Sequence, residues 1–282
     1  MPLQKIKNIL ELIKFSHSIF AMPFALGSML LASQGAPSMV SFFRIVLAVF
    51  FARTAAMAFN RLADAEIDTN NPRTKTREIP KGIVSKQYTW MLVAFSSLGF
   101  IFVSYLLGKL CFWLSPLVLF ILFFYSYTKR FTHYAQLFLG LSLGISPIGA
   151  WIAITNNLSA TPLSLGFGVL LWVAGFDILY AAQDYEFDKE SDLHSLVVKL
   201  GIEEAFTLAR WMHLFAFLFF IQTGLIAALH WEYYVGLMIM ALLFIRQHSL
   251  VSPKDLSKID AAFFQTNGLI SLLFLVSVYF GI

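Results

Sequence analysis

RTAAMAFNRLADAEIDTNNPRTKTREIPKG, residues 53–82, begins in an apolar helix and ends in a basic, turn-rich loop. Along it Arg53, Asn60, Asp64 and Asp68 follow one another at spacings of 7, 4 and 4. At 3.6 residues per turn, those spacings hold all four side chains on roughly one helix face. Asn70, Asn71 and Pro72 then break the helix, so Arg73, Lys75 and Arg77 belong to a different element. Carboxylates beside guanidinium groups at the mouth of an apolar helix suit a magnesium–diphosphate site. A second acidic cluster, DYEFDKESD at 184–192, begins 120 residues after Asp64. Of the 16 acids in the chain, nine fall within 64–68 and 177–192. That concentration requires a cause.

The chain around these clusters is 59% hydrophobic, 16% aromatic and 13% charged, with a mean hydropathy of +0.74. A soluble domain of this size carries about a quarter charged residues, so the sequence is that of a polytopic membrane protein. Its net charge of +4 does not indicate nucleic-acid binding, because the basic residues stand where membrane topology puts them. The single cysteine, Cys111, excludes an intrachain disulfide framework and a cysteine-only metal cage. The opening MPLQKIKNILELIKF lacks the apolar core and cleavage site of a signal peptide. It reads as an amphipathic basic helix on the membrane surface.

Apolar spans of roughly 17–24 residues cross a bilayer. They are read at 17–35, 42–61, 89–108, 112–128, 134–155, 163–183, 209–229, 233–249 and 263–281. The predicted fold is therefore all-α, with nine transmembrane helices around a central cavity in one membrane-embedded domain over 1–282. The turn at Gly108, Lys109 and Leu110 is the weakest separation between spans. Counting Arg61 at an adjoining helix end, the segments 1–16, 62–88, 129–133, 184–210 and 246–260 hold 17 of the 20 basic residues. The opposite loops hold only Arg44 and Lys109, and Arg53 lies mid-helix. The positive-inside rule then puts the N-terminus and both acidic clusters on the cytoplasmic side.

Asp64 and Asp68 lie one turn apart with Asn60 one turn deeper, so three oxygen donors stack along a helix. Magnesium takes such oxygens together with substrate phosphates and water. A lone aspartate at a helix end is explained by solvation; two matched clusters on one membrane side are not, because aspartate is costly near hydrocarbon. The second cluster repeats the spacing with Asp184, Asp188 and Asp192, while Glu66, Glu186 and Glu190 fall on other faces. Asp177 and Tyr180 precede it within the span. Arg73, Lys75 and Arg77, with Lys129 and Arg130 at the end of the fourth span, read either as ordinary loop charge or as cover for a bound anion. Arg53 within an apolar helix needs a partner, either Asp177 or a substrate carboxylate. The six histidines are scattered without zinc-ligand spacing. Most of the 30 phenylalanines serve packing or the lipid face, with a minority available to line a groove for a hydrocarbon chain.

NRLADAEID (60–68), RTKTR (73–77) and YAAQDYEFD (180–188) together resemble the UbiA-type intramembrane prenyltransferases. Arg53, Asp177, Lys129 and Arg130 fit the same pattern, and the similarity covers nearly the whole chain. Two positions depart from it: Arg61 stands where the family often has Asp, and Glu78 where it often has Pro. KFSHSIFAMPFA (14–25) and GFDILYAAQDYEFD (175–188) are similar to the branch of 4-hydroxybenzoate polyprenyltransferases, which also takes in enzymes acting on a dihydroxynaphthoic acid for menaquinone.

The resemblance implies Mg2+ held by Asp64, Asp68, Asp184 and Asp188. It implies a diphosphate bound by Asn60, Arg73, Lys75, Arg77, Lys129 and Arg130, and an aromatic acceptor near Arg53, Asp177 and Tyr180. Substrates would be a polyprenyl diphosphate and a small hydroxylated aromatic acid, in respiratory quinone synthesis at a bacterial inner membrane. Nothing in the sequence calls for nucleic acid or an obligate protein partner. The rival class is a cation-coupled transporter, whose sites lie near the midplane on broken helices; here most of the acids lie at helix ends followed by basic loops.

Overall fold

A computed structural model describes residues 8–14 and 20–282. The predicted surface helix at the N-terminus falls largely outside the described residues, though 8–12 are helical. The helices are α1 (Met22–Ala32), α2 (Met39–Ala63), α3 (Ala65–Asn70), α4 (Lys86–Leu107), α5 (Lys109–Thr128) and α6 (Ala135–Thr155). They continue as α7 (Ala160–Ala181), α8 (Tyr185–Glu190), α9 (Leu196–Leu200), α10 (Ile202–Ile226), α11 (Trp231–Ser249) and α12 (Asn267–Gly281). A π-helical stretch, Ala261–Thr266, leads into α12. Among the described residues there is no strand, only an isolated Ser252–Asp255 bridge.

The all-α membrane fold is as the sequence predicts, and each predicted span finds a helix. Seven are long and apolar enough to cross a membrane. The other two are α1, with 11 residues and part of its predicted span outside the described segment, and α11. Glu232 at one end of α11, and Arg246, Gln247 and His248 at the other, shorten its apolar run. The turn at Gly108 is as tight as a turn can be: one residue at φ +141, open to glycine, separates α4 from α5.

The stretch containing α7 is the pillar of the fold, 67% buried against 22% for α5. α5 instead turns Trp113, Leu117 and Phe120 outward, as a lipid-facing helix should. Lipid is as apolar as leucine, so close packing rather than water exclusion holds such helices together. Between α6 and α7 the packing is backbone to backbone. A Cβ added at Gly140 would lie 2.3 Å from the Leu170 carbonyl oxygen, and one at Gly144 would lie 2.6 Å from that of Gly166. Behind α7, Phe24 stacks among Trp172, Phe220 and Phe274 at centroid distances of 4.9, 5.7 and 4.6 Å. Asn267 Oδ1 accepts from Trp172 Nε1 at 3.1 Å and from Gln247 Nε2 at 3.0 Å, tying α7, α11 and α12 with buried polar groups that have few alternative partners.

This solid half contrasts with the space between α2, α4, α5 and α6, where an apolar cavity of about 200 Å³ opens. At its polar end the chain leaves α2 through Asp64, whose φ of −90 and ψ of 0 interrupt the helix before α3 begins. The loop after α3 packs Ile79 and Val84 against Leu12 and Ala65. That apolar anchor holds the loop against the segment 8–14 and the start of α3.

Candidate active site

The first wall is the end of α2. Asn60 Nδ2 donates to Asp64 Oδ2 at 3.2 Å and to Ser126 Oγ of α5 at 3.4 Å. Lys129, at the end of α5, places Nζ 2.8 Å from the same Asp64 oxygen. The other oxygen, Oδ1, is buried with no partner. One turn on, Arg77 Nη1 donates to both oxygens of Asp68, at 2.7 and 2.8 Å.

The second wall is the end of α7, where a 3₁₀ turn (Ala182–Asp184) leads into α8. The loop that follows the first cluster reaches across to it. Arg73 Nε donates to Asp184 Oδ1 at 2.8 Å, Arg73 Nη2 donates to Asp184 Oδ2, and Nη1 donates to the Tyr180 hydroxyl at 3.2 Å. Asn71 Nδ2 adds a donor to Asp184 Oδ1 at 3.0 Å while its own Oδ1 accepts the Arg73 backbone N–H at 2.8 Å. The guanidinium also lies 5.3 Å over the Tyr180 ring. Burial works against the charge on Arg73, but the hydrogen bond and charge of Asp184 outweigh it and raise the guanidinium pKa above its ordinary value.

Between the walls lies a polar cavity of about 190 Å³. All four predicted aspartates line it, as do Asn60, Arg73, Arg77, Lys129, Asp177 and Tyr180. Lys75 and Arg130, predicted to join them, do not. Lys75 is exposed on the loop, because alternate residues of an irregular loop do not share a face. Arg130 Nη2 donates instead to the Ala63 carbonyl, satisfying the end of α2. Asp192 also leaves its predicted face. α8 ends at Glu190, and Asp192 sits beyond it, exposed, at φ +52. Arg61 and Glu78, the two departures from the family pattern, are both buried. Arg61 Nε donates to the Leu12 carbonyl at 3.2 Å, securing the segment 8–14 rather than facing the cavity.

Arg53 lines the apolar cavity, and Asn60 and Tyr125 line both cavities, so the two meet there. Arg53 Nη2 is 3.5 Å from the Lys14 carbonyl, and its Nε is buried without a partner. Among the described residues it makes no ion pair with Asp177, which lines the polar cavity instead. Residues of the polar wall outside the predicted site include Asn71, Tyr125, Gln136 and His194. Asn71 stands next to a helix-breaking proline, a signal for the turn rather than for a donor to Asp184. The other three have no spacing to mark them.

The oxygen donors are those magnesium prefers, and the unpartnered Asp64 Oδ1 is an open acceptor among them. They are not gathered as a cage: among the described residues no three His, Cys, Asp or Glu side chains group closely enough to hold an ion. The cause is visible in the contacts, since Asp64, Asp68 and Asp184 are each drawn to a cation. Each such pair can be exchanged if a ligand brings a metal for the carboxylate and an anion for the cation.

A polar chamber with paired acids and bases, joined to an apolar chamber inside a membrane helix bundle, fits the family that the motifs resemble. The model of the UbiA prenyltransferase family matches residues 21–275. The chain belongs to the UbiA prenyltransferase family. A UbiA relative in Vibrio cholerae serotype O1 (strain ATCC 39541 / Classical Ogawa 395 / O395), a 4-hydroxybenzoate octaprenyltransferase, is 31% identical over 250 residues, covering 86% of this chain and 85% of that one. The UbiA homolog from Aeropyrum pernix K1, solved in its apo form, superposes with a TM-score of 0.85 at 31% identity, over 93% of this chain and 96% of the other. A UbiA homolog from Archaeoglobus fulgidus, solved bound to GPP and Mg2+, gives a TM-score of 0.74 over 98% and 100% of the two chains. At 18% identity that likeness speaks for the fold. As a UbiA family member the chain is a prenyltransferase and an integral membrane protein, and the transporter alternative is set aside.

Proposed function

We propose that this enzyme transfers a polyprenyl group from polyprenyl diphosphate to a hydroxylated aromatic carboxylic acid of the 4-hydroxybenzoate type, in respiratory quinone synthesis. One observation carries the reading: the polar cavity of acids and bases meets the apolar cavity at Asn60 and Tyr125. That is the shape of an amphiphile with a diphosphate head and a hydrocarbon tail. The likeness to 4-hydroxybenzoate octaprenyltransferases supports the acceptor class.

Asp64, Asp68, Asp184 and Asp188 would hold Mg2+, which when bound offsets the charge of the diphosphate. Lys129, Arg77 and Arg73 turn from their carboxylates to the diphosphate oxygens, and Asn60 orients the head group. The C–O bond of the prenyl diphosphate breaks with its electron pair going to the diphosphate. Fixed cationic donors around that developing charge are a large source of rate enhancement. A ring carbon ortho to the acceptor's hydroxyl then bonds to the allylic cation, and the ring proton is lost. The apolar walls keep water from the cation. Arg53 binds the acceptor carboxylate, with Asp177 and Tyr180 on the acceptor's side of the head group. Charge asymmetry supports a cytoplasmic site at a bacterial inner membrane.

The test is incubation of membranes containing the full chain with polyprenyl diphosphate, Mg2+ and a panel of aromatic acids, with products identified by mass spectrometry. Prenylated 4-hydroxybenzoate is expected, and washing with EDTA should abolish it. Transfer to a dihydroxynaphthoic acid alone would replace the acceptor, no prenylated product would overturn the reading, and full turnover after EDTA would remove the metal.

A further inference from the structure

His194 lines the polar cavity, six residues beyond Asp188, and no motif marks it. Its placement is rigid. The His194 backbone N–H donates to the Lys129 carbonyl at 2.7 Å, the preceding Leu193 N–H to Asp188 O at 2.8 Å, and the Leu196 N–H to Gln136 Oε1 at 3.2 Å. The ring packs on His133 with centroids 4.6 Å apart. Its Nδ1 is buried there without a partner, as is the Nδ1 of His133.

A neutral imidazole carries one N–H and one lone pair. An orphaned buried N–H is rarer than an under-satisfied acceptor, so the proton belongs on Nε2 and the lone pair on the sealed Nδ1. With Nδ1 out of reach, Nε2 is the only ring nitrogen that a ligand in the cavity can meet. A protonated Nε2 donates; it has no lone pair for a metal. The cavity's carboxylates Asp64, Asp68 and Asp184 already have cations, and no protein acceptor meets the His194 ring among the described residues.

We propose that His194 is a diphosphate-binding residue whose Nε2–H donates to an oxygen of the leaving group, in the cavity that Lys129 also lines. This rests on the prenyl-transfer reading above and extends it to a residue outside the acidic and basic motifs. No proton changes hands in this role: the N–H binds the anion, and the ring stays packed on His133 with its Nδ1 buried.

The experiment measures binding of inorganic pyrophosphate with MgCl2 to the purified full-length protein, beside KM for prenyl diphosphate and for the acceptor. His194→Ala should weaken pyrophosphate binding and raise the prenyl-diphosphate KM by roughly tenfold or more, the weight of a charge-assisted hydrogen bond, with the acceptor KM unchanged. His194→Gln, whose amide nitrogen reaches about as far as Nε2, should stay within roughly threefold of wild type on the same scale. If the alanine variant does not fold, His194→Phe keeps the ring on His133 without the donor and should bind as weakly as alanine is expected to. Wild-type binding in the alanine or phenylalanine variant, or a glutamine variant as weak as either, would overturn the proposal while prenyl transfer stands. A wild-type protein that neither binds pyrophosphate nor transfers prenyl groups would overturn both.

Discussion

Asp64→Asn should separate activity from stability. The side chain is buried, and the substitution keeps its shape while removing its charge. On the unfavourable side it weakens the contact with Lys129 at 2.8 Å. A hydrogen bond to a charged group is worth ~1.5–3 kcal/mol, reduced here to about 1–2 kcal/mol because Lys129 is 28% exposed and screened by water. At the other position it replaces the unpartnered anionic Oδ1 with an amide nitrogen that is equally unpartnered, so the ~1–3 kcal/mol cost of an unsatisfied buried group remains in the variant. The weakened Lys129 contact therefore sets the net loss. At roughly 2–4 °C per kcal/mol for a large domain, the melting temperature in detergent should fall by only a few degrees. Turnover should behave differently. Removing one group that stabilises developing charge costs roughly 100- to 1000-fold, and product formation should fall by that amount. A ligand that binds only the folded form stabilises it by mass action, so MgCl2 with pyrophosphate should raise the melting temperature of wild type and barely that of the variant. Two results would refute the reasoning: a variant with more than a tenth of wild-type turnover, or one stabilised by magnesium pyrophosphate as much as wild type.

Arg53→Lys should raise the acceptor KM by roughly tenfold, since an ammonium cannot reproduce a bidentate guanidinium–carboxylate contact, and should leave the prenyl-diphosphate KM within about twofold. Equal changes in both constants would return Arg53 to a structural role at the Lys14 carbonyl. Reporter fusions after residues 70, 157 and 195 should read cytoplasmic, external and cytoplasmic, as the count of basic residues requires; a reversed result at any of the three breaks the topology.

Spans and acidic clusters were legible in the sequence because they depend on local regularities. An apolar run long enough to cross a bilayer is helical wherever it packs, since its backbone has no other hydrogen-bond partner in lipid. Asn60 and Asp64 meet at 3.2 Å because residues four apart on a helix are neighbours, whatever the rest of the chain does. The regularity failed where the helix did. Asp192 lies past the end of α8, and Lys75 sits on a loop whose side chains follow no period.

The sequence by itself determined a helical membrane protein, the two acidic clusters, and their placement at helix ends followed by basic loops. Tertiary structure decided which groups meet. Arg73 crosses 111 residues to Asp184 from a loop that Ile79 and Val84 pin against Leu12 and Ala65. Arg53 and Asp177, paired in one reading of the sequence, face different cavities. His133 and His194, 61 residues apart in sequence with no spacing to relate them, pack at 4.6 Å. Each of these outcomes depends on how separate helices approach, and that approach is set by contacts as short as the one at Gly140. Periodicity within one segment carries no information about it, because it is a property of two surfaces fitting together.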